Sequence, residues 1–116
     1  AEHLHSLAVC FEKRYRRSGK LQDLEATLQK DQETLDATPM DHQDRTKYLH
    51  TLAKSLETRY QRSEDLRDLE AALQSVRECV ELTREDDPRQ PGFLQDLGSL
   101  LGARYQRLRD DQDLEQ

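Results

Sequence analysis

Residues 59–73 read RYQRSEDLRDLEAAL, and they restate residues 14–28, RYRRSGKLQDLEATL, with ten of fifteen positions identical. The spacing is 45 residues, and a third, partial copy runs from Arg104-Tyr105 to Asp113-Leu114-Glu115. Tyr15, Tyr60 and Tyr105 are thus equally spaced, each behind an arginine and each ahead of an Asp-Leu-Glu triplet. A fixed period of this size marks stacked repeats, in which one unit cannot bury its own apolar face and its neighbour must cover it. Stacks of this kind offer surfaces rather than enclosed pockets, so the pattern directs the functional reading towards binding.

On either side of that stretch the apolar residues keep helical phase. Leu4, Leu7, Ala8, Phe11 and Tyr15 fall at i, i+3, i+4, i+7 and i+11, and so do Leu49, Leu52, Ala53, Leu56, Tyr60 and then Leu94, Leu97, Gly98, Leu101, Tyr105. On a helix of 3.6 residues per turn each set makes one stripe. The small residue at Ala8, Ala53 and Gly98 lets a neighbouring helix approach closely. A second helix per unit carries Leu21, Leu24, Leu28, Leu35 and then Leu66, Leu69, Leu73, Val76, Val80. Polar turns separate the two at Ser18-Gly19-Lys20 and Ser63-Glu64-Asp65. Asp87 reads as an N-cap with Pro88 at the first helical position and Pro91 still in the first turn. The units are residues 1–40, 41–85 and 86–116, one array over 1–116, with the third unit cut short about one turn into its second helix. A continuous coiled coil is excluded, because 45 is not a multiple of seven and turn residues interrupt the pattern on schedule.

Composition sets limits on the partner. Only 34% of residues are hydrophobic and 36% are charged, so periodicity is what separates this chain from a disordered one. The net charge of −6, with both signs interleaved, argues against a nucleic acid or an acidic membrane surface. The basic run from Lys13 to Arg17 reads as the last turn of a helix, where cations complement the macrodipole. Cys10 and Cys79 are not repeat-equivalent and read as isolated small residues in a reducing compartment. With no leader-like segment and no membrane-spanning apolar run, the expected location is cytoplasmic.

The pattern Leu-x-x-Leu-[Ala/Gly]-x-x-[Phe/Leu] resembles the first helix of a tetratricopeptide repeat, and Ala26, Ala71 and Thr38-Pro39 fit the rest of that unit. The period is longer than the usual 34. It resembles the long variant in large fungal tetratricopeptide proteins, through Arg14-Tyr15, Arg17-Ser18-Gly19, Asp23-Leu24-Glu25-Ala26, Thr38-Pro39, Asp41-His42, Asp44-Arg45 and Tyr48-Leu49. The resemblance implies an all-α, right-handed α-solenoid of about two and a half helix–turn–helix repeats that serves as a protein–protein interaction scaffold. It also implies an alternative role, as the sensor or regulatory arm of a larger CHAT-type peptidase or nucleotide-binding signalling protein. A third possibility is a structural array that self-associates through its exposed repeat ends.

In tetratricopeptide arrays the exposed flank of the first helix lines the concave groove. By phase that flank carries His5, Val9, Glu12 and Arg16; then His50, Lys54, Glu57 and Gln61; then Gln95 and Ser99. These are the expected partner-binding residues, for a protein or peptide whose identity the sequence leaves open. Val9 stands where the family's peptide-carboxylate clamp needs an asparagine. Arg14, Arg59 and Arg104 are expected to pair with Asp23/Glu25, Asp68/Glu70 and Asp113/Glu115, within a unit or across to the next, as exposed pairs contributing about 0–1 kcal/mol each. The three tyrosines are expected in the core with their hydroxyls at its rim.

No cofactor, metal or catalytic residue is expected. No histidine pair has the i, i+4 spacing of metal ligands, although the repeat-equivalent His5 and His50 fall on neighbouring helices. Asp110-Asp111-Gln112-Asp113 lacks the glycine and glutamate of a calcium loop. Neither cysteine is accompanied by an oxyanion loop, so the chain is not read as an enzyme.

Overall fold

The structure, a computed structural model, describes the backbone of residues 2–115 and the side chains of residues 3–111. It contains five α-helices and, among the described residues, no strand: α1 (Glu2–Ser18), α2 (Leu21–Asp36), α3 (Arg45–Ser63), α4 (Leu66–Leu82) and α5 (Gln90–Glu115). The principal contacts join helices adjacent in the chain, α1 with α2, α2 with α3, α3 with α4 and α4 with α5. A radius of gyration of 15.0 Å exceeds the roughly 13 Å expected of a compact chain this long. Contacts made mainly between sequence neighbours produce that elongated form. Among the described residues, no helix is long and apolar enough to cross a membrane.

The first helix of each pair ends in the same way. Gly19 takes φ +66°, and its N–H donates to the Tyr15 carbonyl at 2.7 Å. Forty-five residues on, Glu64 takes φ +58° and its N–H donates to Tyr60 at 2.7 Å. A left-handed residue closes a helix by satisfying one of its last carbonyls. Glycine adopts this conformation freely, whereas a glutamate is strained in it.

The third copy departs from the expected break. Its equivalent segment is Leu108-Arg109-Asp110, without the serine and without a glycine, and α5 runs straight through it for 26 residues. The second helix of the third unit is therefore not formed. Asp113 and Glu115, the expected partners of Arg104, have side chains outside the described residues. The start of α5 also shifts slightly. Asp87 accepts from the Arg89 N–H at 2.8 Å and caps the turn, Pro88 lies in that turn, and the helix begins at Gln90.

The core lies where α3 is packed between α2 and α4. Leu49, Leu52, Ala53 and Leu56 meet Leu24, Leu28 and Leu35 on one side and Leu69, Ala72, Leu73 and Val76 on the other. Ala8 and Ala53 are 1% and 2% exposed, as their place against a neighbouring helix requires. On α5 the expected stripe is corrected. Phe93 and Leu100 are the buried residues, while Leu94, Leu101 and Tyr105 are exposed, Tyr105 by 66%. The reason is the missing partner: among the described residues, no counterpart of the helix that covers this face in the first two units packs here. Tyr15 and Tyr60 do pack against the core at its edge.

The repeated arginine pairs in both ways. Arg59 grips Asp68 within its own unit through two bonds, Nε to Oδ2 at 3.0 Å and Nη2 to Oδ1 at 2.7 Å. Arg104 reaches back to Glu70 of the preceding unit at 2.7 Å. In the first unit Asp23 accepts from Ser18 Oγ at 2.6 Å, and the Arg14 guanidinium lies over the Phe11 ring. The Asp68 side chain is only 8% exposed, so its pair with Arg59 is not the exposed kind expected from the sequence.

Candidate functional site

Between α1 and α3 lies an open groove with a cavity volume of about 560 Å³. One wall is α1, with Ala8, Val9, Glu12, Tyr15 and Arg16. The other is α3, with His50, Lys54, Glu57, Thr58 and Gln61. The floor is the α2 face that carries Leu24, Thr27 and Asp31. The groove exists because α1 and α3 each pack onto α2 through their apolar stripes and leave one flank of each facing the other across it.

Seven of the ten residues expected on the binding flank line this one concavity: Val9, Glu12, Arg16, His50, Lys54, Glu57 and Gln61. Gln95 lies instead in a second groove between α3 and α5, of about 680 Å³, which shares His50 and Lys54. His5 is in neither groove and packs against the Tyr48 ring, centroids 5.1 Å apart. Burial pushes the His5 imidazole below its ordinary value, and the Lys47 charge adds to this against the smaller opposing effect of Asp44. Ser99 is exposed on α5 and lines neither groove.

Three residues that sequence phase did not single out complete the site. Asp96 accepts from His50 Nε2 at 2.8 Å and from Lys54 Nζ at 3.3 Å, and so fixes the ridge between the two grooves. Burial works against its charge, but the bonds from His50 and Lys54 outweigh it and hold the carboxyl below the ordinary range. Phe93 sets its ring edge-on to His50, at 5.1 Å and 61°. Asp31, 3% exposed, accepts from Ser55 Oγ at 2.8 Å. Burial raises its carboxyl to about 6; Ser55 opposes the shift and the Glu12 charge adds to it.

The Asp31–Ser55 contact stands out against the repeat. Positions 45 residues further on are Val76 and Leu100, both buried, 1% and 4% exposed. At the same place in the next pair of helices the fold thus uses apolar packing, and only here does it carry a carboxylate and a hydroxyl. A comparison of residues 31 and 76 in the sequence could have found this difference.

Several charges in the groove are already committed. Arg16 pairs with Glu12 at 2.6 Å, and Lys54 and His50 are held by Asp96. Among the described residues Asp31 and Glu57 have no ion-pair partner, so the uncommitted charge of the groove is negative. Nor, among the described residues, do three or more His, Cys, Asp or Glu side chains come together in a way that could hold a metal ion. Cys79 is sealed in the core, its thiol pushed up to about 12 by burial and then by the Glu78 charge, while Cys10 is exposed on α1. In comparisons with protein-family models, curated proteins and solved structures, nothing matches this chain.

Proposed function

We propose that this chain is an interaction module, a right-handed stack of tetratricopeptide-like helix pairs that presents the α1–α3 groove to an extended segment of a partner protein. The observation that supports this reading is the gathering of seven flank residues from two helices around one concavity whose floor belongs to a third. Side chains with no packing duty face one another there, while the helices that carry them are locked by the core beneath. A preformed groove of that kind binds without ordering itself first, which lowers the cost of association. The lining is mostly polar at the rim, which suits a peptide backbone and its side chains better than a small apolar ligand. Binding, with no catalytic step, is the role assigned.

The test is a titration of the ¹⁵N-labelled protein with a pool of mixed-sequence decapeptides, followed by amide shifts. Changes at Val9, Glu12, Lys54 and Thr58 are expected. Shifts confined to α5, or none at saturating pool concentration, overturn the reading.

A second reading, self-association, is favoured by the uncovered face of α5. Leu94, Leu101, Tyr105 and Leu108 are 49%, 38%, 66% and 40% exposed in one row. No side-chain or remote backbone atom stands within 4 Å of where a Cβ on Gly98 or Gly102 would lie, so a second helix can approach that row closely. The occupant in this reading is the same row of a second copy, antiparallel to the first.

A further inference from the structure

We propose that the floor of the α1–α3 groove is a recognition site for a basic side chain, arginine in preference to lysine, of the bound peptide, received by the Asp31 carboxylate that Ser55 holds in place. This inference rests on the groove being the binding surface.

Three independent observations carry it. The first is geometric. Asp31 is 97% buried by its 3% exposure, yet it lines the cavity, and only one of its oxygens receives a hydrogen bond from the described residues. The other oxygen is left for something that enters the groove. That oxygen is not sealed inside the protein; it opens to the groove.

The second is the repeat itself. Val76 and Leu100 demonstrate that this position accepts apolar packing, so a carboxylate and a hydroxyl at 31 and 55 are not needed to build the fold. Departures from the local rule that weaken a protein concentrate at functional positions.

The third is charge. With Arg16 tied to Glu12, and Lys54 and His50 tied to Asp96, the charged groups of the groove that have no ion-pair partner among the described residues are Asp31 and Glu57, both acidic. A cation entering there meets no free positive group. Arginine is preferred because a planar guanidinium gives two parallel donors to a carboxylate and sheds its hydration more easily than an ammonium. The raised pKa of Asp31 fits the same account: a bound guanidinium would restore the charge that burial disfavours.

The experiment uses three decapeptide pools, each randomised except for a central arginine, lysine or glutamate, with affinity read by fluorescence anisotropy. They are titrated into the wild-type chain, into Asp31→Asn and into the double variant Asp31→Val/Ser55→Leu, which copies the apolar pair of the next repeat. Asp31→Asn keeps the shape and removes only the charge, so it covers the case in which the double variant fails to fold. The proposal expects the arginine pool to bind wild type at least tenfold more tightly than the glutamate pool, with lysine between, and expects both variants to lose that preference. Equal binding of all pools, or an arginine preference that survives in both variants, overturns the Asp31 site and leaves the groove standing. If no pool binds at all, the site and the groove reading fall together.

Discussion

The guanidinium of Arg62, on α3, donates to the backbone carbonyl of Gly19 at 2.9 Å, from forty-three positions further along the chain. The same bond recurs between Arg107 of α5 and the carbonyl of Glu64. Each arginine thus ties the first helix of one pair to the left-handed residue that closes the first helix of the pair before it. That residue sets the angle between helices within a pair, and the arginine fixes where the next pair sits. Two features conspicuous in the sequence only as turn and charge are in this way one joint.

Because Glu64 holds a left-handed backbone that glycine adopts without strain, Glu64→Gly is expected to stabilise the chain by about 1 kcal/mol. Urea unfolding checks this. An unchanged or lowered midpoint would show that the glutamate is not strained there.

Arg59→Ala is expected to destabilise by about 2–3 kcal/mol, because it leaves the largely buried Asp68 carboxylate without two charge-assisted bonds. Arg67→Ala is the control. Its pair with Asp65 is on the surface, the arginine side chain 91% exposed, and no measurable loss is expected. Equal effects of the two substitutions would make the Arg59 pair an ordinary surface contact.

Asp31 gives stability a pH dependence of unusual sign. Its carboxyl titrates at about 6 in the folded chain against an ordinary value near 4 when unfolded, so the folded state binds the proton more tightly. The cost of the buried charge is fully present above pH about 6 and is gone below about 4. Asp31→Asn removes that cost and is expected to be more stable than wild type at pH 7 by about 3 kcal/mol, with the gap closing as pH falls from 6 to 4. The charged groups that face Asp31 are Glu12 and Arg16 from α1 and His50, Lys54 and Glu57 from α3; comparing the two proteins at each pH largely cancels their own titration. A gap independent of pH would contradict the account.

The uncovered row of α5 predicts concentration-dependent dimers in sedimentation experiments at tens of micromolar. Leu101→Lys places a charge in the middle of the row and is expected to return the chain to monomer. If the wild type is monomeric throughout that range, the row has no self-partner.

Helix number and placement were readable for the first four helices because the apolar stripes and the turns at Gly19 and Glu64 recur in register. Most of the flank of α1 and α3 was readable for the same reason, since those positions fall beside the apolar stripe rather than in it; His5, which packs on Tyr48, is the exception. Two things were not. The run of α5 through Leu108-Arg109-Asp110 depends on the absence of a turn signal that the two earlier copies possess, whereas the recurrence of the Asp-Leu-Glu triplet suggested a second helix that no turn there separates from the first. Asp31 escaped notice because a single acidic residue on a charged helix is unremarkable by itself. Its meaning comes from the valine at 76 and from the serine across the interface, a long-range pairing that phase alone does not reveal. Asp96 was missed likewise, since its partners His50 and Lys54 lie more than forty positions away.

The most direct test of the central claim is a selection of a random peptide library against the wild-type chain and, in parallel, against Thr58→Trp, which fills the groove between α1 and α3 from its rim without touching the core. The account predicts peptides that bind the wild type at micromolar concentration and lose at least tenfold on the tryptophan variant. Peptides that bind both proteins equally would place recognition elsewhere on the surface and contradict the assignment of this groove.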